Sequence, residues 1–107
     1  MDDCVGGTDP KGIANCTRLI ESKQFAGEDL ARLYYERGVK FQFNKDLRRA
    51  LGDMEAAIRL APNVGEFMWG RGCLKFLDLG DKRGGRTDIA KAKQLGFALD
   101  DTAPCGL

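Results

Sequence analysis

The fold of this chain is set by a stretch that occurs twice, first as Tyr35-Glu36-Arg37-Gly38 and again as Trp69-Gly70-Arg71-Gly72. In both copies an aromatic side chain begins the stretch and an Arg-Gly pair ends it. The two Arg-Gly pairs lie 34 residues apart. A self-similarity of about 34 residues is the period of a repeated helix-turn-helix unit. The stretch therefore predicts two helical hairpins in succession.

A second stretch repeats further along, as Asp53-Met54-Glu55-Ala56-Ala57-Ile58-Arg59-Leu60 and Asp88-Ile89-Ala90-Lys91-Ala92-Lys93-Gln94-Leu95. Its two copies are offset by 35 residues, so the second unit holds one extra residue between Gly72 and Asp81. Apolar residues recur at helical spacing, and no segment alternates in the manner of a strand. The predicted fold class is all-α.

About five helices are expected along the chain. Asp9-Pro10 suits the start of the first, because Asp caps free amides and Pro fits the first turn. Pro62 ends the third helix and Gly96 ends the fifth. The predicted helices cover residues 10–22, 28–43, 46–60, 65–79 and 82–95.

The first unit follows a recognisable pattern: an aromatic residue precedes Gly in the first helix, small residues recur in the second, and Pro closes the unit. This pattern resembles the tetratricopeptide repeat (TPR) family. The matching positions are Tyr34, Gly38, Phe41, Ala50, Met54, Ala57 and Pro62. The second unit matches less closely, because Met68 replaces the aromatic residue, Gly85 replaces Ala, and Phe97 stands where Pro would be.

The resemblance implies antiparallel helix pairs stacked as a short TPR-like solenoid in a single domain, residues 1–107. Within it, residues 10–22 would be a half-repeat helix, residues 31–63 and 65–97 two repeats, and residues 98–107 a C-terminal tail. The chain is similar above all to small exported bacterial TPR proteins, which often begin with a paired-cysteine half-unit.

The resemblance also implies a concave groove that binds a peptide or protein, since aromatic side chains with a polar rim serve as anchors in such surfaces. The implied groove residues are Arg32, Tyr35, Val39, Gln42, Glu66, Trp69, Cys73 and Phe76. The alternative for Trp69 is packing against the neighbouring unit or the tail. The family's two-carboxylate clamp is not evident, because Tyr35, Val39, Glu66 and Gly70 occupy the groove positions.

A charge pair recurs in each unit, Arg37 with Asp53 and Arg71 with Asp88. We interpret it as a salt bridge that joins the two helices of a unit. The alternative makes the arginines anchors for a ligand carboxylate, which guanidinium groups bind in a two-pronged fashion.

Four cysteines allow three disulfide pairings, and sequence alone does not choose among them. Cys4 and Cys16 flank a short Gly/Pro loop that suits a local bridge, which leaves Cys73 with Cys105. The alternative is four reduced thiols. If Cys73 bonds Cys105, the tail would lie across part of the groove as a plug or a substitute cap. Disulfides favour a periplasmic or secreted protein whose signal peptide has been removed; the alternative is a cytoplasmic protein.

The composition limits the classes of function that we expect. The formal net charge is +1 with both signs interspersed, so a nucleic-acid partner is not expected. No apolar run approaches the roughly 18 residues of a membrane span. The chain has no His, and its cysteines lack metal-site spacing, so we expect no metal, no cofactor and no enzymatic activity. The predicted function is a protein-interaction module; the alternative is a structural module that homodimerises through its uncapped terminal helices.

Overall fold

A computed structural model of the chain describes residues 4–97 and residue 105. Helices make up 73% of this part of the chain, which contains no strand, so the all-α prediction is confirmed. The five helices are α1 (Lys11–Glu21), α2 (Gly27–Phe43), α3 (Leu47–Leu60), α4 (Gly65–Cys73) and α5 (Lys82–Gln94). A π-helical turn, Leu74–Asp78, continues α4.

Hydrogen bonds from capping side chains and the conformation of a glycine explain where helices begin and end. The Asp9 carboxylate accepts from the amide of Lys11 at 3.0 Å, and the Asp81 carboxylate accepts from the amide of Gly84 at 2.8 Å. Each satisfies one of the amides that a helix leaves unpaired at its start. Gly96 follows α5 with a φ of 88°, a left-handed conformation that glycine adopts readily at a helix end.

Backbone contacts divide the chain into two compact units, Met1–Pro62 and Asn63–Leu107, called unit 1 and unit 2 below. Unit 1 contains α1, α2 and α3. Its apolar cluster centres on Cys4, Cys16 and Leu33, all fully buried, and half-buried side chains of α1, α2 and the linker between them pack against it. The first helix is therefore held to α2 by apolar contacts, and the Cys4–Cys16 pair joins it to residue 4.

In unit 1, α2 and α3 form an antiparallel hairpin. Arg37 contacts Asp53 while Phe41, later in α2, lies under Arg49, earlier in α3. The two helices approach most closely at Gly38, where an added Cβ would lie 3.1 Å from the carbonyl oxygen of Ala50. A glycine at this crossing lets the two backbones come together.

In unit 2, α4 and α5 form a second antiparallel hairpin. Arg71 contacts Asp88, and Phe76, further along the chain, lies against Gly85. The crossing point is Gly72, where an added Cβ would lie 2.9 Å from the carbonyl oxygen of Gly85. The buried apolar side chains of this hairpin are Phe67, Leu74, Ile89 and Ala92.

The extra residue of unit 2 is absorbed by the π-helical turn. Gly38 and Gly72 are 34 residues apart, whereas the helix-capping residues Asp46 and Asp81 are 35 apart. The amide of Leu79 donates to the carbonyl of Leu74 at 3.1 Å, five residues back instead of the usual four. The sequence places the insertion between Gly72 and Asp81, and the structure locates it at Leu74–Asp78.

Two predictions made from the sequence remain predictions. The stacking of the units as one TPR-like domain stays a prediction. The predicted tail, residues 98–107, lies outside the described residues except for Cys105. Among the helices described above, none is long and apolar enough to cross a membrane.

Candidate functional site

The Arg37–Asp53 pair joins α2 to α3 in a two-pronged arrangement. Nε of Arg37 donates to Oδ2 of Asp53 at 2.7 Å, and Nη2 donates to Oδ1 at 2.8 Å. Nη1 donates to the hydroxyl of Thr17 in α1 at 3.1 Å. The hydrogen bonds to Asp53 raise the pKa of Arg37, outweighing the lowering effect of burial. All three guanidinium nitrogens thus have partners within unit 1.

The Arg71–Asp88 pair repeats this arrangement in unit 2. Nε of Arg71 donates to Oδ2 of Asp88 at 2.7 Å and Nη2 to Oδ1 at 2.9 Å. Nζ of Lys75 lies 3.2 Å from the same Oδ2. Burial alone would raise the pKa of Asp88, but hydrogen bonds and opposite charge from Arg71 and Lys75 outweigh it and lower the pKa.

Both charge pairs expected from the repeat are therefore present. Asp53 is 7% exposed and Asp88 is 5% exposed, so each carboxylate is buried against its arginine. Because Asp53 occupies the two-pronged edge of Arg37 and Thr17 accepts from its remaining nitrogen, this geometry favours the interpretation as a structural pair over a ligand anchor. That structural role remains a prediction.

The predicted groove residues of α2 differ in their exposure to solvent. Tyr35 is 3% exposed, and the guanidinium of Arg32 lies 5.9 Å from the centre of its ring. Arg32 also lies 3.7 Å from the carboxylate of Glu36. Val39 and Gln42 are half-buried. The α2 surface is thus a buried tyrosine ring with a cation over it, flanked by partly accessible side chains.

The predicted groove residues of α4 surround Trp69. Trp69 and Glu66 are half-buried, and the indole ring centre lies 5.5 Å from that of Phe97. An added Cβ at Gly65 would lie 2.7 Å from Cβ of Phe97, so this ring sits over the first turn of α4. Trp69 therefore has a neighbour from its own unit on one side, in line with the alternative that it packs within the protein.

The last predicted groove residue, Phe76, lies in the π-helical turn. The π-helical turn carries it towards α5, where Nζ of Lys82 lies 5.9 Å and the guanidinium of Arg86 lies 5.5 Å from its ring centre. Gly85 also faces it, since an added Cβ there would lie 2.8 Å from Cβ of Phe76. Phe76 thus packs against α5, comparable with Phe41 in unit 1, and its place in the groove stays a prediction.

All four cysteines are paired, Cys4 with Cys16 and Cys73 with Cys105. These are the two pairs that the loop between Cys4 and Cys16 favoured. Cys73 is 7% exposed and Cys105 is half-buried, so the second bridge brings residue 105 against the last turn of α4. The hypothesis that the rest of the tail covers the groove concerns residues outside the described part of the chain.

Two residues that hold residues 4–6 in place, Lys40 and Glu36, were not predicted from the sequence. Lys40 is 1% exposed, and its ammonium donates to the carbonyl of Cys4 and, at 3.1 Å, to that of Gly6. Glu36 accepts from the amide of Gly6 at 2.7 Å. Burial lowers the pKa of Lys40 and outweighs the opposing effect of Glu36. Their spacing of four residues places both on one face of α2, which was the available signal.

Two surface cavities of unit 1 lie beside Arg37, and the predicted groove residues line neither of them. One, of about 400 Å³, lies where the end of α1, the linker after it and α2 meet, with Phe25 and Tyr34 in its wall. The other, of about 500 Å³, lies among α1, α2 and α3 and includes Phe41, Arg49 and Gly52. Both of these cavities therefore lie on the Arg37 side of α2.

Comparisons with protein-family models, curated proteins and solved structures found no match to this chain. Within residues 4–97 and 105, no three or more acidic, cysteine or histidine side chains are grouped to hold a metal ion. The arrangement of the site itself therefore carries the functional argument.

Proposed function

We propose that this protein is a non-enzymatic interaction module of the TPR type that binds a protein or peptide partner. One observation carries the proposal: two helical hairpins use the same connection at matching positions. An Arg-Gly pair in the first helix meets a buried Asp and a small residue in the second, at Arg37–Asp53 and again at Arg71–Asp88. A sequence repeat that is also a repeat of contacts is typical of solenoid proteins.

The first helices of hairpins in arrays of this type line the surfaces that these arrays use for recognition. In this chain the first helices are α2 of unit 1 and α4 of unit 2. For unit 2 we propose Trp69 as the main anchor, with Glu66 beside it on α4, because a half-buried indole combines a large apolar face with a polar N–H. For unit 1 we propose a surface of its own on α2, formed by Arg32, Val39 and Gln42 around the buried ring of Tyr35.

Site-specific photocrosslinking in the native host tests this proposal. Benzoyl-phenylalanine replaces Glu66, one turn before Trp69, and in a matched control it replaces Thr87, an exposed residue of α5. We expect one reproducible protein adduct from position 66, lost when Trp69→Ala is added, and no such adduct from position 87. Equal adducts from both positions, or an adduct that survives Trp69→Ala, would argue against the Trp69 surface.

We also propose that the protein works in an oxidising, extracytoplasmic compartment. Two disulfides account for all four cysteines, and such bridges persist where thiols are not kept reduced. Alkylation of intact cells with a thiol reagent, before lysis and without reductant, gives the test. We expect no labelled cysteine; four labelled cysteines would place the working protein in a reducing compartment.

A further inference from the structure

Gly52 occupies an unusual position in α3. It lies in the helix interior, where glycine is less favourable than alanine. At Gly38 and Gly72 the chain explains the glycine, because an added Cβ would lie about 3 Å from atoms of the facing helix. An added Cβ at Gly52 would meet nothing within 4 Å. Unit 1 therefore supplies no steric reason for a glycine here.

The exposed backbone at Gly52 lines the larger of the two cavities beside Arg37, of about 500 Å³, which we call the α1–α3 groove. Ile13 and Thr17 of α1 and Phe41 of α2 also line it. A bare glycine backbone allows a second helix to approach closely, as α3 approaches α2 at Gly38.

The exposed charge in this groove is positive and belongs to Arg49. The side chain of Arg49 is 72% exposed, with its guanidinium 5.9 Å from the centre of the Phe41 ring and 3.5 Å from the carboxylate of Asp46. The other charges in the groove, Arg37 and Asp53, are bonded to each other. A guanidinium has five N–H donors, so Arg49 retains the capacity to bind a carboxylate in a two-pronged fashion.

From the bare helix at Gly52, the size of the groove and the accessible Arg49, we infer that the α1–α3 groove docks an acidic helix of a protein partner. The partner helix crosses α3 at Gly52 and places a carboxylate against Arg49. This groove shares no residue with the Trp69 surface on α4, so it is a second docking site in addition to the proposed function.

Nuclear magnetic resonance titration with a defined probe tests the inference. The probe is an alanine-based helical peptide of about 17 residues with Glu at every fourth position, and its control carries Gln in place of Glu. We expect saturable shifts of the Gly52 amide and the Arg49 Nε–H, with affinity for the Gln peptide weaker by about tenfold or more. No saturable shift at these two groups, or equal binding of both peptides, would overturn the inference.

Variants separate this surface from the Trp69 surface. Gly52→Leu fills the crossing point, and Arg49→Gln removes the charge of an exposed side chain; each should abolish the peptide-induced shifts while circular dichroism shows a folded helix. Trp69→Ala should leave them unchanged, so a failure of the Trp69 surface stays distinguishable. Shifts centred on the exposed Arg83 and Arg86 of α5, or a dimer whose contacts map to Gly52, would contradict the assignment.

Discussion

Arg71 and Asp88 are joined by two parallel hydrogen bonds, Nε to Oδ2 at 2.7 Å and Nη2 to Oδ1 at 2.9 Å. The carboxylate is buried between α4 and α5, and its opposite charge comes from the first helix of the same hairpin. An equivalent pair in unit 1 has nearly the same geometry. The same charge pair therefore joins the two helices in each of the two hairpins.

Removing these carboxylates should destabilise the protein. We expect Asp53→Asn and Asp88→Asn each to lower the free energy of unfolding by about 3 kcal/mol, because each leaves a largely buried guanidinium without its counter-charge. Urea denaturation followed by circular dichroism measures the change.

The matched control is Asp46→Asn, which removes an exposed charge near Arg49 while Asn still caps α3. We expect a change of no more than about 0.5 kcal/mol for this variant. If Asp53→Asn and Asp88→Asn behaved like the control, the buried pairs would have no structural role.

Acid should weaken unit 2 through Asp88. Its pKa in the folded protein lies below the ordinary value of 3.8, so the folded state holds the carboxylate form more strongly than the unfolded chain does. This contribution is complete above pH 3.8 and is lost as the pH falls through the lower folded pKa. Urea unfolding at a series of pH values should therefore show a shallower loss of stability below about pH 4 for Asp88→Asn than for the wild type. Identical slopes would contradict the assignment.

The charge pairs and the disulfides illustrate what sequence could supply. The Arg37–Asp53 pair recurs as Arg71–Asp88 with one more residue between the partners, and this repetition predicted both the hairpins and the contact across them. The Gly/Pro loop between Cys4 and Cys16 favoured the local bridge, which left Cys73 for Cys105. These features depend on spacing along the chain, which is visible without coordinates.

Glycines at the helix crossings should respond differently from Gly52. Gly72→Ala should lower the free energy of unfolding by about 1–3 kcal/mol, since the new methyl would lie 2.9 Å from the Gly85 carbonyl oxygen and from Ile89. Gly52→Ala should instead raise it by about 1 kcal/mol, because Ala favours the helix and its methyl meets open space. Thermal or urea unfolding of the two variants provides the comparison, and a destabilising Gly52→Ala would show that the chain itself requires this glycine.

The two disulfides should be reduced in a fixed order. Cys4 and Cys16 are fully buried, whereas Cys105 is half-buried, so a soluble dithiol reaches the second bridge more readily. Limited reduction, followed by alkylation and peptide mass mapping, should label Cys73 and Cys105 first. Earlier labelling of Cys4 and Cys16 would show that the N-terminal segment opens before the C-terminal bridge.

Other features could not be predicted because they arise from distant packing. Lys40 fits a helical pattern as a solvent-exposed residue, yet its partners are carbonyl groups more than 30 residues earlier in the chain. The change of repeat spacing showed that unit 2 has an extra residue, but it did not show which local structure accommodates that residue. A π-helical turn and a longer loop have the same sequence length, and the packing of Phe76 against Gly85 selects the turn.

We propose that this repeat of hairpins binds a protein partner through the surface around Trp69. The decisive measurement is photocrosslinking from position 66, with and without Trp69→Ala. We expect a single protein adduct that disappears with Trp69→Ala, while the melting temperature of the variant shows that it remains folded. An adduct unaffected by Trp69→Ala would overturn the proposal. Adducts formed only between copies of this chain would also overturn it and would favour self-association.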